Sequence, residues 1–272
     1  MKFVMFTKHL QGLDIPDTIE ALQSVGVEGA DLCVRPGYPV TPENVQTALP
    51  AAAKQFAKNG LSIPLVTTPT GFTQPDVDYA ERLYAACGEA GIRHIKLGYW
   101  HWSPERAYWD EVEAIRVHLA GFQDLSHKYG VQTCIHTHSG RSMGLNASAV
   151  MHLVRGFDPR HIGVYADPGH LSIVGEPIEM ALNIVAEYLS VVSMKDLMRQ
   201  QVVRDGQITW QTRVVRLGHG YGDFPALLST LKRLDFAGPV SFHSEYSGEP
   251  VESVIDLARI DVRFIRALLA KT

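Results

Sequence analysis

What most constrains this chain is an alternation that runs from end to end. Short β-branched or apolar runs take turns with longer amphipathic stretches, and the cycle repeats eight times. The strand-like runs are KFVMFT at 2–7, GADLCV at 29–34, SIPLVTT at 62–68, HIKLGYW at 94–100, VQTCIHTH at 131–138, IGVYAD at 162–167, LSVVSMKD at 189–196 and GPVSFHSE at 238–245. Helix-like segments fall near 16–25, 42–58, 75–90, 104–129, 145–156, 176–187, 222–235 and 251–269. Eight strands, each followed by a helix, predict an α/β chain forming a single (β/α)8 TIM barrel over residues 1–272. The length of 272 residues is right for one barrel, and no linker rich in Pro, Gly or Ser divides the chain. A doubly wound open sheet would need a glycine-rich first turn, and FTKHLQGLD offers none.

Local signals agree with this parse. Thr41-Pro42-Glu43 and Ser103-Pro104-Glu105 each place a capping hydroxyl before a first-turn proline. Gly60, Gly91 and Gly130 each stand between a helical pattern and a strand, as helix-ending glycines do. The charge of −4, with both signs interspersed and no basic run, argues against a nucleic-acid partner. Cys33, Cys87 and Cys134 lack metal-ligand spacing and read as small core residues of a reducing compartment. The first apolar run is too short to span a membrane and lacks a secretory cleavage pattern, so a cytoplasmic protein with no membrane partner is expected.

Barrel active sites lie at the C-terminal ends of the strands, and there the second half of the chain is rich in ligating groups. His136 and His138 stand two apart, so they share a face of the fifth strand. Asp167 closes the sixth strand and His170 follows within a turn. His243 and Glu245 repeat the two-residue spacing on the eighth, and Ser193, Lys195 and Asp196 end the seventh. Imidazole with carboxylate suits a divalent metal such as Zn2+, Mn2+ or Co2+. The ordinary reading of any one such histidine is a hydrogen-bonded structural residue, and a lone strand-end Asp can simply cap the next helix. Four adjacent strand ends are harder to explain that way, because burying so much polarity without use is costly.

In the first half, Lys8-His9, Arg35 and Lys96 could meet a substrate hydroxyl, carboxylate or phosphate, or be solvated charges. Trp100 and Trp102 could stack on a sugar face or pack at the rim. Gly218-His219-Gly220-Tyr221-Gly222 could admit an anion before the next helix, although glycines alone signal little.

Taken in order, TKHLQGL at 7–13, GADLCVRPG at 29–37, IHTHSG at 135–140, DPGH at 167–170, MKD at 194–196, LGHGYGDF at 217–224 and GPVSFHSEY at 238–246 resemble the xylose-isomerase-like TIM-barrel superfamily. The resemblance covers nearly the whole chain and points to a subgroup of sugar phosphate isomerases or epimerases. It implies a metal held by Glu, Asp, His and Glu from strands five to eight. Here those positions fall on His136, Asp167, Ser193 and, on the eighth strand, His243 or Glu245, so one usual ligand is plainly retained.

The resemblance implies a metal-assisted isomerase or epimerase acting on a sugar or keto-sugar through an enediolate. The metal (Mn2+, Zn2+, Mg2+ or Co2+) is expected on His136, Asp167, His243 and Glu245. Glu245, Lys195 and His170 are the expected catalytic groups, with His138, Arg35, Lys96, Arg199 and Trp100 as substrate contacts. A lyase, dehydratase or hydratase acting on a 3-keto sugar or keto-inositol would use the same proton abstraction, and a non-catalytic sugar-binding subunit is a further reading. No clear phosphate cradle is visible, which favours an unphosphorylated sugar. Barrels of this group often associate, so a homo-oligomer is conceivable, with the aromatic stretch at 99–109 as one surface for it.

Overall fold

A computed structural model describes residues 1–271 of the chain. Eight parallel strands close into a barrel: β1 (Lys2–Phe6), β2 (Gly29–Cys33), β3 (Ser62–Thr67), β4 (His94–Lys96), β5 (Gln132–His136), β6 (Ile162–Ala166), β7 (Leu189–Met194) and, after a two-strand excursion, β10 (Pro239–Phe242). The seam pairs β1 with β10, placing Met5 beside Phe242. The excursion is an antiparallel hairpin, β8 (Asp196–Arg204) and β9 (Gln207–Val215), which leaves the barrel directly after β7. The expected single (β/α)8 barrel is therefore present, with the hairpin as an addition.

The outer layer is α1 (Ile15–Val25), α2 (Val45–Lys58), α3 (Ala80–Glu89), α4 (Tyr108–Tyr129), α5 (Ala147–Val154), α6 (Pro168–Ile173), α7 (Ile178–Ile184), α8 (Phe224–Arg233) and α9 (Val251–Leu269). Their apolar faces pack on the outside of the strands in one continuous core. Gly60, Gly91 and Gly130 take left-handed φ of 73°, 70° and 66°, as expected of residues that end helices. The two hydroxyl–Pro–Glu signals differ from expectation. Helix α2 starts at Val45 after Asn44, and α4 at Tyr108 after Ala107. In both places the proline shapes a turn ahead of the helix rather than its first turn.

Inside the barrel, side chains stack in layers from alternate strands. Val4, Leu65, Cys134 and Val191, one each from β1, β3, β5 and β7, form with Tyr165 a buried cluster separate from the outer core. Side chains alternate with period two, so two residues further along the same strands come Phe6, Thr67, His136 and Ser193. The interior thus turns from apolar to polar as the strands approach their C-terminal ends. The three cysteines are free and buried, in keeping with core packing.

The hairpin's base is fastened by an internal anion. The carboxylate of Asp196 accepts backbone N–H groups from Gly218 (3.0 Å), Gly220 (2.8 Å) and Gly222 (2.9 Å). The glycine run that could have admitted an external anion is therefore filled by the chain's own side chain. Glycine is required at 220, because a Cβ there would stand 2.3 Å from Asp196 Oδ1 and 2.5 Å from the Leu197 carbonyl oxygen. Asp196→Ala strips three donors of their acceptor and is expected to lower stability by roughly 2–4 kcal/mol, measured as a shift in urea midpoint. A midpoint equal to wild type would show that water replaces the carboxylate without loss.

Candidate active site at the barrel mouth

The C-terminal ends of the strands enclose a cavity of about 400 Å³. His136, His138, Lys195, His243, Glu245, Arg35 and Lys96 all line it. At its floor, one ligand atom from each of His136, Asp167 and His243 lies within 4.8 Å of the others, and all three residues are buried.

Asp167 and His243 are each held by one atom and leave another free, whereas neither ring nitrogen of His136 has a hydrogen-bond partner. Asp167 uses Oδ1 to cap α6, accepting from the His170 N–H at 3.0 Å, while its own N–H donates to Thr137 Oγ1. Its Oδ2 has no hydrogen-bond partner and lies 3.4 Å from His136 Nε2 and 3.8 Å from His243 Nδ1. His243 is oriented from behind. Its Nε2 meets Tyr165 Oη at 2.6 Å, and the Tyr165 hydroxyl donates to Asp31 Oδ2 at 3.0 Å. Burial first, and then Asp31, push the Tyr165 phenol well above its ordinary range, so it keeps its proton for Asp31. His243 Nε2–H is then the donor to Tyr165, which leaves Nδ1 facing Asp167 and Glu245. Thr67 at 2.6 Å and Ser241 at 3.0 Å complete the hydrogen bonds to Asp31.

The unpartnered buried atoms His136 Nε2, Asp167 Oδ2 and His243 Nδ1 form a nitrogen–oxygen set that fits a divalent cation such as zinc or manganese. Burial pushes His136 down to about 3, against the pull of Asp167, so this imidazole is in the neutral ligating form near neutrality. Burial opposes the charge on Asp167, but His170, His136 and Lys195 outweigh it and hold the carboxyl well below its usual range. On His243, burial alone would lower the pKa, and the Asp31 and Glu245 carboxylates more than reverse it.

Beside the floor stands an ion trio. Lys195 Nζ donates to Glu245 Oε1 at 2.6 Å, and Lys8 Nζ to Oε2 at 2.5 Å. Glu245 was expected both on the metal and in acid/base work; each of its oxygens faces a lysine, and it stands outside the three-residue cluster. Burial disfavours its charge, yet Lys195, His243 and Lys8 keep it ionised well below the usual carboxyl range. Lys195 is raised, because Glu245 and Asp167 outweigh its own burial. His170 lies behind the cavity wall, with Nε2 3.4 Å from Lys195 Nζ and Nδ1 2.8 Å from Ser139 Oγ. His138 packs against it with ring centroids 3.9 Å apart, and burial brings His138 down to about 4.

Two expected substrate contacts lie elsewhere. Arg199 is exposed on β8, in the hairpin that follows β7, and does not line the cavity. Trp100 is half-buried against the core and does not line the cavity. The sequence reading missed Asp31 and Tyr165. Their signal was a charged residue between Ala30 and Leu32 and a tyrosine two positions before Asp167, both in inward register.

Removing the Tyr165 hydroxyl by Tyr165→Phe frees His243 to turn. Such a loss of a supporting hydrogen bond is expected to weaken divalent-metal affinity by about 10–100-fold. A chelator-competition titration with Zn2+ checks this, and unchanged affinity would remove Tyr165 from the site's support.

The family described as xylose isomerase-like TIM barrel matches residues 19–268. No curated protein sequence matches the chain. Among solved structures, the chain is similar to 3-keto-D-glucoside 4-epimerase YcjR from E. coli, at 14% identity and TM-score 0.73 over 98% of this chain and 99% of that one. It is also similar to the IOLI protein with a bound zinc atom, at 17% identity and TM-score 0.76 over 97% and 98% of the two chains. A third similarity is to AsbF from Bacillus anthracis, described as a probable 3-DHS dehydratase, at 12% identity and TM-score 0.71 over 98% and 99%. At these identities the likeness speaks for the shared fold. Among the described residues, no helix is long and apolar enough to cross a membrane.

Proposed function

The chain belongs to the xylose isomerase-like TIM barrel family, and on that premise we propose that it is a metal-assisted isomerase or epimerase acting on a keto-sugar through an enediolate. The observation that carries the reading is the set of unpartnered ligand atoms on His136, Asp167 and His243, placed beside an ionised Lys195–Glu245 pair. Those three residues would hold the cation, which when bound supplies Lewis acidity toward adjacent substrate oxygens.

The protein's own groups then do the following. Glu245, held as a carboxylate, takes the proton from the carbon beside the carbonyl at Oε1. Lys195 Nζ loses that partner as the carboxyl becomes neutral, and turns an N–H toward the oxygen where charge collects. His170 stands behind Lys195 and limits where its ammonium can go. Returning the proton from Glu245 to the neighbouring carbon gives an isomer; a different proton, donated to the original carbon by an acid on the opposite face, gives an epimer and leaves Glu245 to lose its proton to solvent afterwards.

Elimination is the second reading, favoured by the similarity to a dehydratase. It shares the proton abstraction and then expels a neighbouring hydroxyl as water, which a proton from the wall must accompany. The test is incubation of the metal-loaded protein with a panel of keto-sugars in D₂O, followed by mass spectrometry and NMR. Deuterium at the carbon beside the carbonyl with skeletal mass otherwise retained supports isomerisation or epimerisation, and loss of water supports elimination. No exchange with any keto-sugar would overturn both.

A further inference from the structure

Four cationic side chains reach the cavity, and they fall into two pairs with opposite surroundings. Lys8 and Lys195 share the carboxylate of Glu245. Arg35 and Lys96 have no such partner among the described residues. Arg35 sits just beyond β2 and uses Nε to donate to the Thr68 carbonyl oxygen at 2.9 Å, which fixes the plane of its guanidinium. No carboxylate meets its two terminal nitrogens among the described residues. Lys96, at the end of β4, is 2% exposed, and its Nζ has no hydrogen-bond partner. It rests 3.6 Å from the ring centroid of Tyr99. Burial pushes Lys96 well below its usual range and Arg35 adds to that repulsion, with Asp31 and Glu245 opposing only in part.

Two basic side chains directed at one space, with no carboxylate bonded to either, hold their charge at a cost that falls once something negative enters it. Strand β3 lies between β2 and β4, so Arg35 and Lys96 flank Thr67 on one side of the cavity. The His136, Asp167 and His243 floor comes from β5, β6 and β10. A ligand held at the first place therefore extends over the second.

We propose that Arg35 and Lys96 form a carboxylate-binding subsite, so that the substrate is a keto-sugar acid rather than a neutral sugar. The proposal rests on the enediolate reading given above and deepens it by naming the substrate class. A carboxylate suits the place better than a phosphate. Arg35 presents a planar fork matched to two coplanar oxygens. The run of backbone N–H groups at Gly218–Gly222, which could have cradled a phosphate, is taken by Asp196. A cavity of about 400 Å³ suits a compact sugar acid.

The test uses 5-keto-D-gluconate and L-sorbose, which differ by a carboxylate in place of one hydroxymethyl group, with inorganic phosphate as a third probe. Calorimetric titrations are run on the wild type, Arg35→Met, Arg35→Lys, Lys96→Met and His136→Ala, each checked for folding by circular dichroism. The expected result is that the wild type binds the acid at least about tenfold more tightly than the sugar. That preference is lost in Arg35→Met and Lys96→Met, partly kept in Arg35→Lys, and intact in His136→Ala. Equal binding of the two probes, no binding of the acid, or a preference that survives both Met variants overturns the subsite. Phosphate binding more tightly than the acid overturns the carboxylate assignment. A preference that stands while no keto-sugar exchanges its proton supports the subsite and removes the reaction reading, so the two failures are distinguishable.

Discussion

Asp167→Asn is expected to abolish stoichiometric metal binding and to lower turnover by roughly a thousandfold or more, the equivalent of several kcal/mol of lost charge stabilisation. Asn is the informative replacement because it separates two jobs of one side chain. Oδ1 caps α6 through the His170 N–H, and an amide oxygen can still do this. Oδ2, unpartnered and 3.4 Å from His136 Nε2, becomes an NH₂ group that cannot ligate. The variant should therefore still fold, with a lowered thermal midpoint because the charge interactions with His170, His136 and Lys195 are lost, while elemental analysis finds no metal. Metal retained at one equivalent, with turnover intact, would remove Asp167 from the cluster and with it the reaction proposed here.

Lys195→Met is expected to act on stability and activity together. It leaves the nearly buried Glu245 with Lys8 as its remaining lysine partner, which should cost about 2–4 kcal/mol, below the full penalty for breaking a buried pair because Lys8 remains. Turnover should fall by roughly 100–1000-fold through loss of a donor to the developing oxyanion. The pH dependence has a definite sign. Glu245 is depressed, so its stabilising contribution is complete above the ordinary carboxyl pKa and disappears as pH falls through the lower folded value. Lys195 is raised, so its contribution is complete below the ordinary lysine pKa and disappears as pH rises past the higher folded value. The wild-type pair therefore stabilises the barrel across the neutral range. In the variant the lysine arm vanishes and the acid limb moves to higher pH, because Glu245 has lost its largest favourable partner. Thermal midpoints from pH 3 to 11 measure both limbs. Superimposable profiles would mean that the pair contributes nothing net.

The barrel was legible because its signals are local and repeated: apolar runs with period two, helical faces and terminal glycines each occur many times. The imidazoles and carboxylates of β5, β6 and β10 were legible for a related reason. His136 with His138, and His243 with Glu245, stand two apart at strand ends, and that spacing fixes a common face without knowledge of the neighbouring strand. Asp31 and Tyr165 were not legible as a pair, because the meeting of β2 with β6 across the barrel interior is a property of the closed ring. The partition of cations was hidden likewise. Lys8 and Lys195 are paired, and Arg35 and Lys96 are not, only because Glu245 sits where it does.

The hairpin is a different case, since its signal was present and unused. Val202-Val203 and Ile208-Thr209 flank Asp205-Gly206, two residues suited to left-handed turns, and both have positive φ, 51° and 75°. Without the hairpin, Arg199 reads as a continuation of β7; with it, the residue is an exposed position on β8 outside the cavity lining.

The bond between Lys8 and Glu245 joins residues 237 positions apart, across the seam where the first and last barrel strands meet. Loop closure of that length is among the last contacts a chain can make during refolding. The site is therefore a built-in reporter of ring closure: helices and most parallel strand pairs can form before the ring shuts, whereas the ion trio requires both ends in place. During refolding, recovery of the site should lag behind recovery of helix signal. A chain that lost its last strand through proteolysis would lose His243 and Glu245 in the same event, so a partly closed barrel has no means of being partly active.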